Sequence, residues 1–347
     1  MTSGKGAFVP ANGELFEIRP RIFWTRLALP FRLNHVNIYI LDDGDGWTVF
    51  DAGIGDAATQ AVWERLLAGP LSGKPISRII CSHHHPDHVG IVGWLCRKTG
   101  APLYMSETEY LLAQYYASNP HAIDGDAFRR LYLEHGVSAE ETDGLLSRGH
   151  NYQRITTGLP DGFVGLEPGT VMAIGGRRFE VMTGGGHSSA QVMLLCREGW
   201  LLLAADQVLP RITPNIGVTA LQAHGDPLGR YLASLDQIKR DVPNDVLALP
   251  GHDWPFENLH RRIDELISHH HERCDLIAAA TRRQGAQTVD DLIPVLFPQV
   301  LDLHQRSFAF AETLSHVNYM LGSGRLTQEQ SGPVARVVSA LHNDCAG

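Results

Sequence analysis

The chain has 347 residues, 44% of them hydrophobic and 19% charged, a composition that supports a sizeable core and excludes wholesale disorder. Its length suits one large domain with an appendage, or two domains. With 29 basic and 38 acidic residues the formal net charge is −9, which argues against a protein that coats nucleic acid or an anionic membrane through bulk charge.

No apolar run reaches the roughly 18 residues that a spanning helix needs, so no transmembrane segment is expected. Met1 to Glu14 lacks the basic-then-apolar layout of a signal peptide. Cys81, Cys96, Cys196, Cys274 and Cys345 are scattered and form no CxxC pair. Three of them sit in apolar segments and read as small core hydrophobes, and a reducing, cytoplasmic compartment fits best.

Strand and helix signals alternate as far as Met105. Residues 37–41 (NIYIL) and 47–50 (WTVF) predict strands around the turn-forming run Asp43 to Gly46. Residues 56–68 predict an amphipathic helix with Ala61, Trp63, Leu66 and Leu67 at helical spacing. A short apolar strand follows at 76–81, then a helix over 89–98 with Gly100 placed to end it, and a strand at 101–105. Residues 106–155 lose the strand signal and become charged, Tyr-rich and helical, an insertion. Strands return at 170–174, 178–183, 191–196, 200–205 and 245–249, and helices dominate after Trp254. The alternation implies a layered α/β architecture.

The chemistry concentrates in Ser82-His83-His84-His85-Pro86-Asp87-His88, between an apolar strand and a helix. In an extended segment residues two apart point the same way, so His83 and His85 can reach one metal. Asp87 and His88, in the first turn of the next helix, can face a second ion. Imidazole and carboxylate donors without thiolate suit Zn, Fe or Mn. Three further candidates recur at strand ends: His187 after Gly184 to Gly186, Asp206 closing the apolar strand 200–205, and His252 after Leu249-Pro250-Gly251. An acid closing a buried strand is costly unless it binds something positive.

These pieces, with Asp51-Ala52-Gly53, resemble the metallo-β-lactamase superfamily in order and spacing over about residues 30–255. The resemblance implies a four-layer αββα sandwich with a dinuclear metal site at one edge of the sheets. It implies that His83, His85 and His187 bind a first divalent ion, that Asp87, His88 and His252 bind a second, and that Asp206 bridges them. Zn is the first expectation for both ions, with Fe or Mn as alternatives. Asp51 would orient ligands, and Asp87 would be catalytic, passing a proton to the leaving group. The run Gly-Gly-Gly-His187-Ser-Ser-Ala departs from the Pro-Gly-His pattern of the glyoxalase II and lactonase branches and weakens assignment to either.

His84 has the wrong alternation for a ligand, and His269 to His271 read as a helix face. Asn34-His35-Val36-Asn37 precedes a central strand and could be strand-start polarity or a pocket element. Tyr110, Tyr115 and Tyr116 lie on the insertion, where Tyr115 and Tyr116 could wall a substrate pocket or pack the insertion down. Trp254 and Phe256 follow His252 and are candidate pocket residues. The tail combines a helix over 311–321, a Gly-rich turn and a strand at 333–338, resembling the end of a winged-helix unit.

From Asp253 onward there are 8 basic and 12 acidic residues. Arg282-Arg283 is the best basic pair, a poor footprint for RNA. The expected organisation is a catalytic domain over 1–255 with an insertion at about 106–155, then a mainly helical region over 256–347 that closes the site or forms a homodimer contact. The expected function is a dinuclear metal-dependent hydrolase using a metal-bridged hydroxide on a small ester, thioester or lactone, with no membrane or nucleic-acid partner. The rivals of the same fold are a phosphodiesterase, phosphotriesterase or endoribonuclease, and an iron-dependent oxygenase such as a persulfide dioxygenase.

Overall fold

The computed structural model describes residues 8–147, 149, 151–330 and 333–340; Cys345 and the segment Met1 to Ala7 lie outside them. In chain order the elements begin with β1 (Phe16–Arg19), β2 (Ile22–Ala28), β3 (His35–Asp42), β4 (Trp47–Phe50), α1 (Ala57–Ala68), β5 (Ile76–Ile80), α2 (Pro86–Val89), α3 (Val92–Thr99) and β6 (Leu103–Met105). The insertion carries α4 (Glu107–Ser118), α5 (Asp126–Glu134), α6 (Ala139–Leu146) and α7 (Asn151–Arg154). There follow β7 (Val164–Gly165), β8 (Val171–Ile174), β9 (Arg177–Gly184), β10 (Gln191–Cys196), β11 (Leu201–Ala205), α8 (Pro227–Asp241) and β12 (Leu247–Pro250). The chain closes with α9 (Leu259–Gln284), α10 (Val289–Leu296), α11 (Leu303–Gly322), β13 (Leu326–Gln330) and β14 (Ala335–Ser339).

The chain divides into two compact units. The first takes in residues up to 120, 151–214 and 238–262; the second takes in 121–150, 215–237 and 263 onward. The expected insertion is therefore shared out, with α4 and α7 in the first unit and α5 and α6 in the second.

In the first unit a seven-stranded sheet, ordered β1 to β7, faces a five-stranded sheet ordered β12-β11-β10-β9-β8. The seven-stranded sheet is antiparallel from β1 to β4 and parallel from β4 to β7. Trp24, Tyr39, Phe50 and Ile80 from one sheet pack with Phe179, Leu194, Leu203 and Leu249 from the other in one buried cluster. Strands β4, β10, β11 and β12 are buried at every position, so they read as unbroken apolar runs rather than alternating ones. On the seven-stranded sheet, α1 packs through Trp63, whose indole N–H donates to the Ala52 carbonyl at 2.8 Å. Asp56 caps α1 by accepting from the Thr59 N–H at 2.7 Å. The expected 89–98 helix is α3, with the one-turn α2 set apart before it, and α3 ends at Gly100 with φ 74°.

In the second unit α5, α6, α10 and α11 pack together, with Arg306 of α11 paired to Glu141 and Asp290 at 2.6 and 2.5 Å. The expected terminal strand is half of an antiparallel hairpin, β13 with β14. Gln287 adds a bridge to Val337, so a helix-then-hairpin ending is present.

Candidate metal centre

The candidate residues come from the carboxyl ends of strands in both sheets. His83, His85, Asp87 and His88 lie on the turn after β5 and on α2, whose first residue is Pro86 with φ suited to a helix start. His187 lies between β9 and β10, Asp206 directly follows β11, and His252 follows β12 by two residues. Three groups of donor atoms each fall within 4.8 Å of one another: His83, His85 and His187; His83, His88 and Asp206; Asp87, His88 and His252. All seven residues expected as ligands are in these groups.

His85 Nδ1 lies 2.9 Å from His83 Nε2 and 3.0 Å from His187 Nε2. On the other side, His252 Nε2 is 3.3 Å from Asp87 Oδ2, and His88 Nε2 is 3.7 Å from the same oxygen. Asp206 Oδ2 stands between the two sets, 3.3 Å from His187 Nε2, 3.5 Å from His88 Nε2 and 3.2 Å from His252 Nε2.

The far ring nitrogens are held from behind. Asp51, buried and with φ 63°, accepts from the Ser82 N–H at 2.7 Å and the Ser82 hydroxyl at 2.9 Å. The same carboxylate lies 2.9 Å from His88 Nδ1, and Ser82 Oγ lies 2.9 Å from His83 Nδ1. His252 Nδ1 donates to the His35 carbonyl at 2.8 Å. These contacts put N–H on Nδ1 of each ring and leave Nε2 of His83, His88 and His252 as the donor atom. The 34–37 segment thus takes part through its backbone. The Asn37 side chain also donates to the Pro250 carbonyl at 2.9 Å, beneath the His252 turn.

The electrostatics divide the cluster. Burial and the neighbouring imidazoles push His83 and His85 well below the ordinary histidine value, so both are neutral donors. Burial also pulls down His252, but Asp206 and Asp87 outweigh it and raise the ring to about 10. His88 is raised in the same way against its burial, by Asp206, Asp87 and Asp51. Burial pushes Asp87 and Asp206 up, and the facing His88 and His252 rings overcome it and hold both carboxyls below their usual range.

A metal fits this arrangement on three grounds. Imidazole nitrogens crowd one another within the three-histidine set. Among the described residues, Asp206 Oδ1 and His88 Nε2 are buried without a hydrogen-bond partner, which is costly unless a cation meets them. A Cβ at Gly251 would overlap Asp206 Oδ1 and come within 2.8 Å of His88 Cε1, so the backbone before His252 must be bare. Nitrogen and carboxylate donors in two sets around a shared carboxylate suit two divalent cations of borderline hardness.

The remaining candidates are spread around this cluster. His84 points away from it, its Nδ1 2.6 Å from Glu109 Oε2. Tyr116 stacks on the His84 ring, with centroids 5.4 Å apart and planes at 11°. Tyr115 meets Tyr116 edge-on. Tyr110 donates to the Pro160 carbonyl at 2.8 Å. Trp254 is part-exposed beneath the Arg211 guanidinium, 5.5 Å from the ring centroid. Phe256 lies back along β12, its backbone bridging Ala248. His270, of the 269–271 run, is buried with its Nδ1 3.1 Å from His316 Nε2, a helix–helix contact in the second unit.

Sequence reasoning missed Glu109, a wholly buried carboxylate beside the metal loops. It is held at about 2, because His84 and the two backbone N–H groups that it accepts outweigh the upward push of burial.

The chain belongs to the metallo-beta-lactamase superfamily, whose family model matches residues 32–252. A second family model, the metallo-beta-lactamase-like C-terminal domain, matches residues 274–337. A beta-lactamase domain protein from Burkholderia ambifaria superposes with a TM-score of 0.88 at 32% identity, over 96% of each chain. The Bacillus subtilis protein named probable metallo-hydrolase YqjP is 22% identical over 88% of this chain and 94% of its own length. A hydroxyacylglutathione hydrolase of Cereibacter sphaeroides is 30% identical over 43% of this chain and 56% of its own. The mixed α/β fold and the helical C-terminal region expected from the sequence are those of this superfamily, and the chain is a metallo-hydrolase of it. Among the described residues, no helix is long and apolar enough to cross a membrane.

Proposed function

We propose that this member of the superfamily is a dinuclear hydrolase of small esters, thioesters or lactones. His83, His85 and His187 would hold one divalent ion, Asp87, His88 and His252 the other, and Asp206 would bridge. The observation that carries the reading is the position of Asp206: one oxygen within 3.5 Å of donor nitrogens from both sets, the other buried without a hydrogen-bond partner among the described residues. When bound, two such ions make a water acidic enough to supply hydroxide near neutral pH and polarise the carbonyl that it attacks.

The chain's own residues do the rest. Asp51 and Ser82 fix His88 and His83 in the tautomers that present Nε2. Asp87 is the most exposed of the carboxylates in the centre, its side chain 19% accessible against 6% for Asp206, and can carry a proton to a leaving thiolate or alkoxide. Trp254, exposed two residues after His252, would supply apolar surface near the scissile group, whereas Tyr116 is buried against His84. The thioester option is supported by similarity to a hydroxyacylglutathione hydrolase. The net charge of −9 weighs against a polyanionic substrate, for which clustered Lys and Arg would be needed.

Elemental analysis combined with a screen over thioesters, lactones, aryl esters, phosphotriesters and RNA tests this. The expected result is two ions per chain and turnover confined to acyl substrates. One tightly bound ion per chain, or turnover only on phosphoesters, would refute it.

A further inference from the structure

Glu109 sits in the first turn of α4, three residues after the capping Ser106. That Ser-x-x-Glu spacing is the one in which the glutamate turns back to the N-cap N–H. Here it does not. Its side chain crosses to the metal loops and uses both oxygens: Oε2 accepts from the His84 N–H at 3.0 Å and lies 2.6 Å from His84 Nδ1, and Oε1 accepts from the Ala190 N–H at 2.6 Å.

His84 lies between His83 and His85, and Ala190 is three residues beyond His187. The same helical segments hold the opposite backbone groups of these two residues. The Tyr152 hydroxyl donates to the His84 carbonyl at 2.6 Å, and Ser106 Oγ donates to the Ala190 carbonyl at 2.8 Å. Each loop is thus gripped through both the N–H and the C=O of one residue, from outside the sheets.

We infer that Glu109 is a positioning residue for the three-histidine site, clamping the His83–His85 loop to the His187 loop; this rests on the reading that those rings hold an ion. Their donor nitrogens bridge the gap between the loops, with His85 Nδ1 3.0 Å from His187 Nε2, so a slip of even half an ångström would spoil a shared coordination sphere. A carboxylate is suited to the task because it is an acceptor only and can take several N–H donors at once. A helix cap alone does not account for burying one completely. The bonds of Glu109 go to His84 and Ala190, next to His83, His85 and His187, so the larger effect falls on that side of the centre.

The test is Glu109→Gln, which keeps size but turns an NH2 group toward one of the donors, alongside Tyr152→Phe and Ser106→Ala, which each remove one grip and leave the carboxylate in place. Each variant is titrated with Co(II), following the visible absorption of the two sites, and backbone hydrogen exchange is read at His84 and Ala190. For Glu109→Gln the expected result is affinity at the three-histidine site lower by about 10–100-fold, the second site weakened by clearly less, and faster exchange at both amides. Tyr152→Phe and Ser106→Ala should shift the same site in the same direction by less. Equal weakening of both ions, or unchanged exchange and affinity across all three variants, would overturn the inference. Faster exchange at both amides in a protein whose wild type takes up one ion would uphold the clamp and sink the dinuclear reading instead.

Discussion

Replacing Gly251 with alanine asks whether the absence of one methyl group is a condition of metal binding. Gly251 is not among the residues with positive φ, so alanine meets no conformational penalty there. The obstacle is steric: the new Cβ would overlap Asp206 Oδ1 and approach His88 Cε1 to 2.8 Å. The backbone cannot easily retreat, because the Gly251 N–H donates to the Ala205 carbonyl at 2.8 Å and its own carbonyl accepts from the Asn37 N–H at 2.7 Å. The strain therefore falls on the proposed bridging carboxylate and on a proposed ligand of the second ion. Overpacking by one carbon costs about 1–3 kcal/mol. If the site bears all of it, ion affinity falls by roughly 5–150-fold, at about 1.4 kcal/mol per factor of ten. Competition against a chromophoric chelator measures this, with thermal unfolding in excess chelator as the control. Unchanged affinity for both ions would refute the argument, as would a loss confined to the three-histidine side.

Asp206→Asn should lower occupancy of both ions and reduce turnover by more than tenfold, since an amide cannot supply the bridging charge; full metal content by elemental analysis would end that role. Asp51→Asn should weaken the ion at His88 by about 10–100-fold in a chelator competition, because the carboxylate behind Nδ1 is what orients that ring. Asp42, held at about 2 chiefly by Lys74 against some burial and helped by Gly44 and Arg21, has a folded pKa below its unfolded value. Its stabilising contribution is complete above about pH 5 and is lost as pH falls through about 2. It is worth about 1 kcal/mol once screening of this part-exposed cluster is allowed for. Denaturant titrations of wild type and Asp42→Asn should therefore converge as pH drops from about 5 to 2, and parallel curves would contradict this.

The strands that were legible in the sequence are those whose signal is local and apolar. Gln191–Cys196 and Leu201–Ala205 are buried at every position, Ile76–Ile80 is buried at its three isoleucines, and their composition alone marks them. The hairpin β1–β2 escaped notice because its turn places Arg21 at φ 65°, where a glycine or asparagine would have flagged it. Strand β13 (LTQEQ) has almost no strand character of its own. It exists because β14 pairs with it along its whole length, a choice made by tertiary context rather than propensity. The split of the insertion was hidden for a related reason. The helical periodicity of residues 126–146 shows an apolar face but not its partner, which is a later stretch of chain carrying Phe310, whose ring lies 4.7 Å from that of Tyr132.

At the centre itself, the candidate ligands were legible because metal donors must be specific side chains at strand ends, and six residues of sequence already hold four of them. The supports were harder to find, since what recommends them is geometry with no composition of its own. Asp51 was within reach because its Asp-Ala-Gly run is part of the pattern by which the sequence resembles the superfamily. Glu109 was not, because Ser106-Glu-Thr-Glu109 is also what an ordinary helix start looks like, and local sequence cannot distinguish a glutamate that returns to its own cap from one that crosses to two loops far along the chain. What separates the two readings is burial: a cap glutamate stays wet, whereas this one is 0% exposed. A completely buried carboxylate is stable only where several donors converge on it. Here those donors belong to the segments that carry His83, His85 and His187, so the helix that begins the insertion is tied to the metal loops at its first turn.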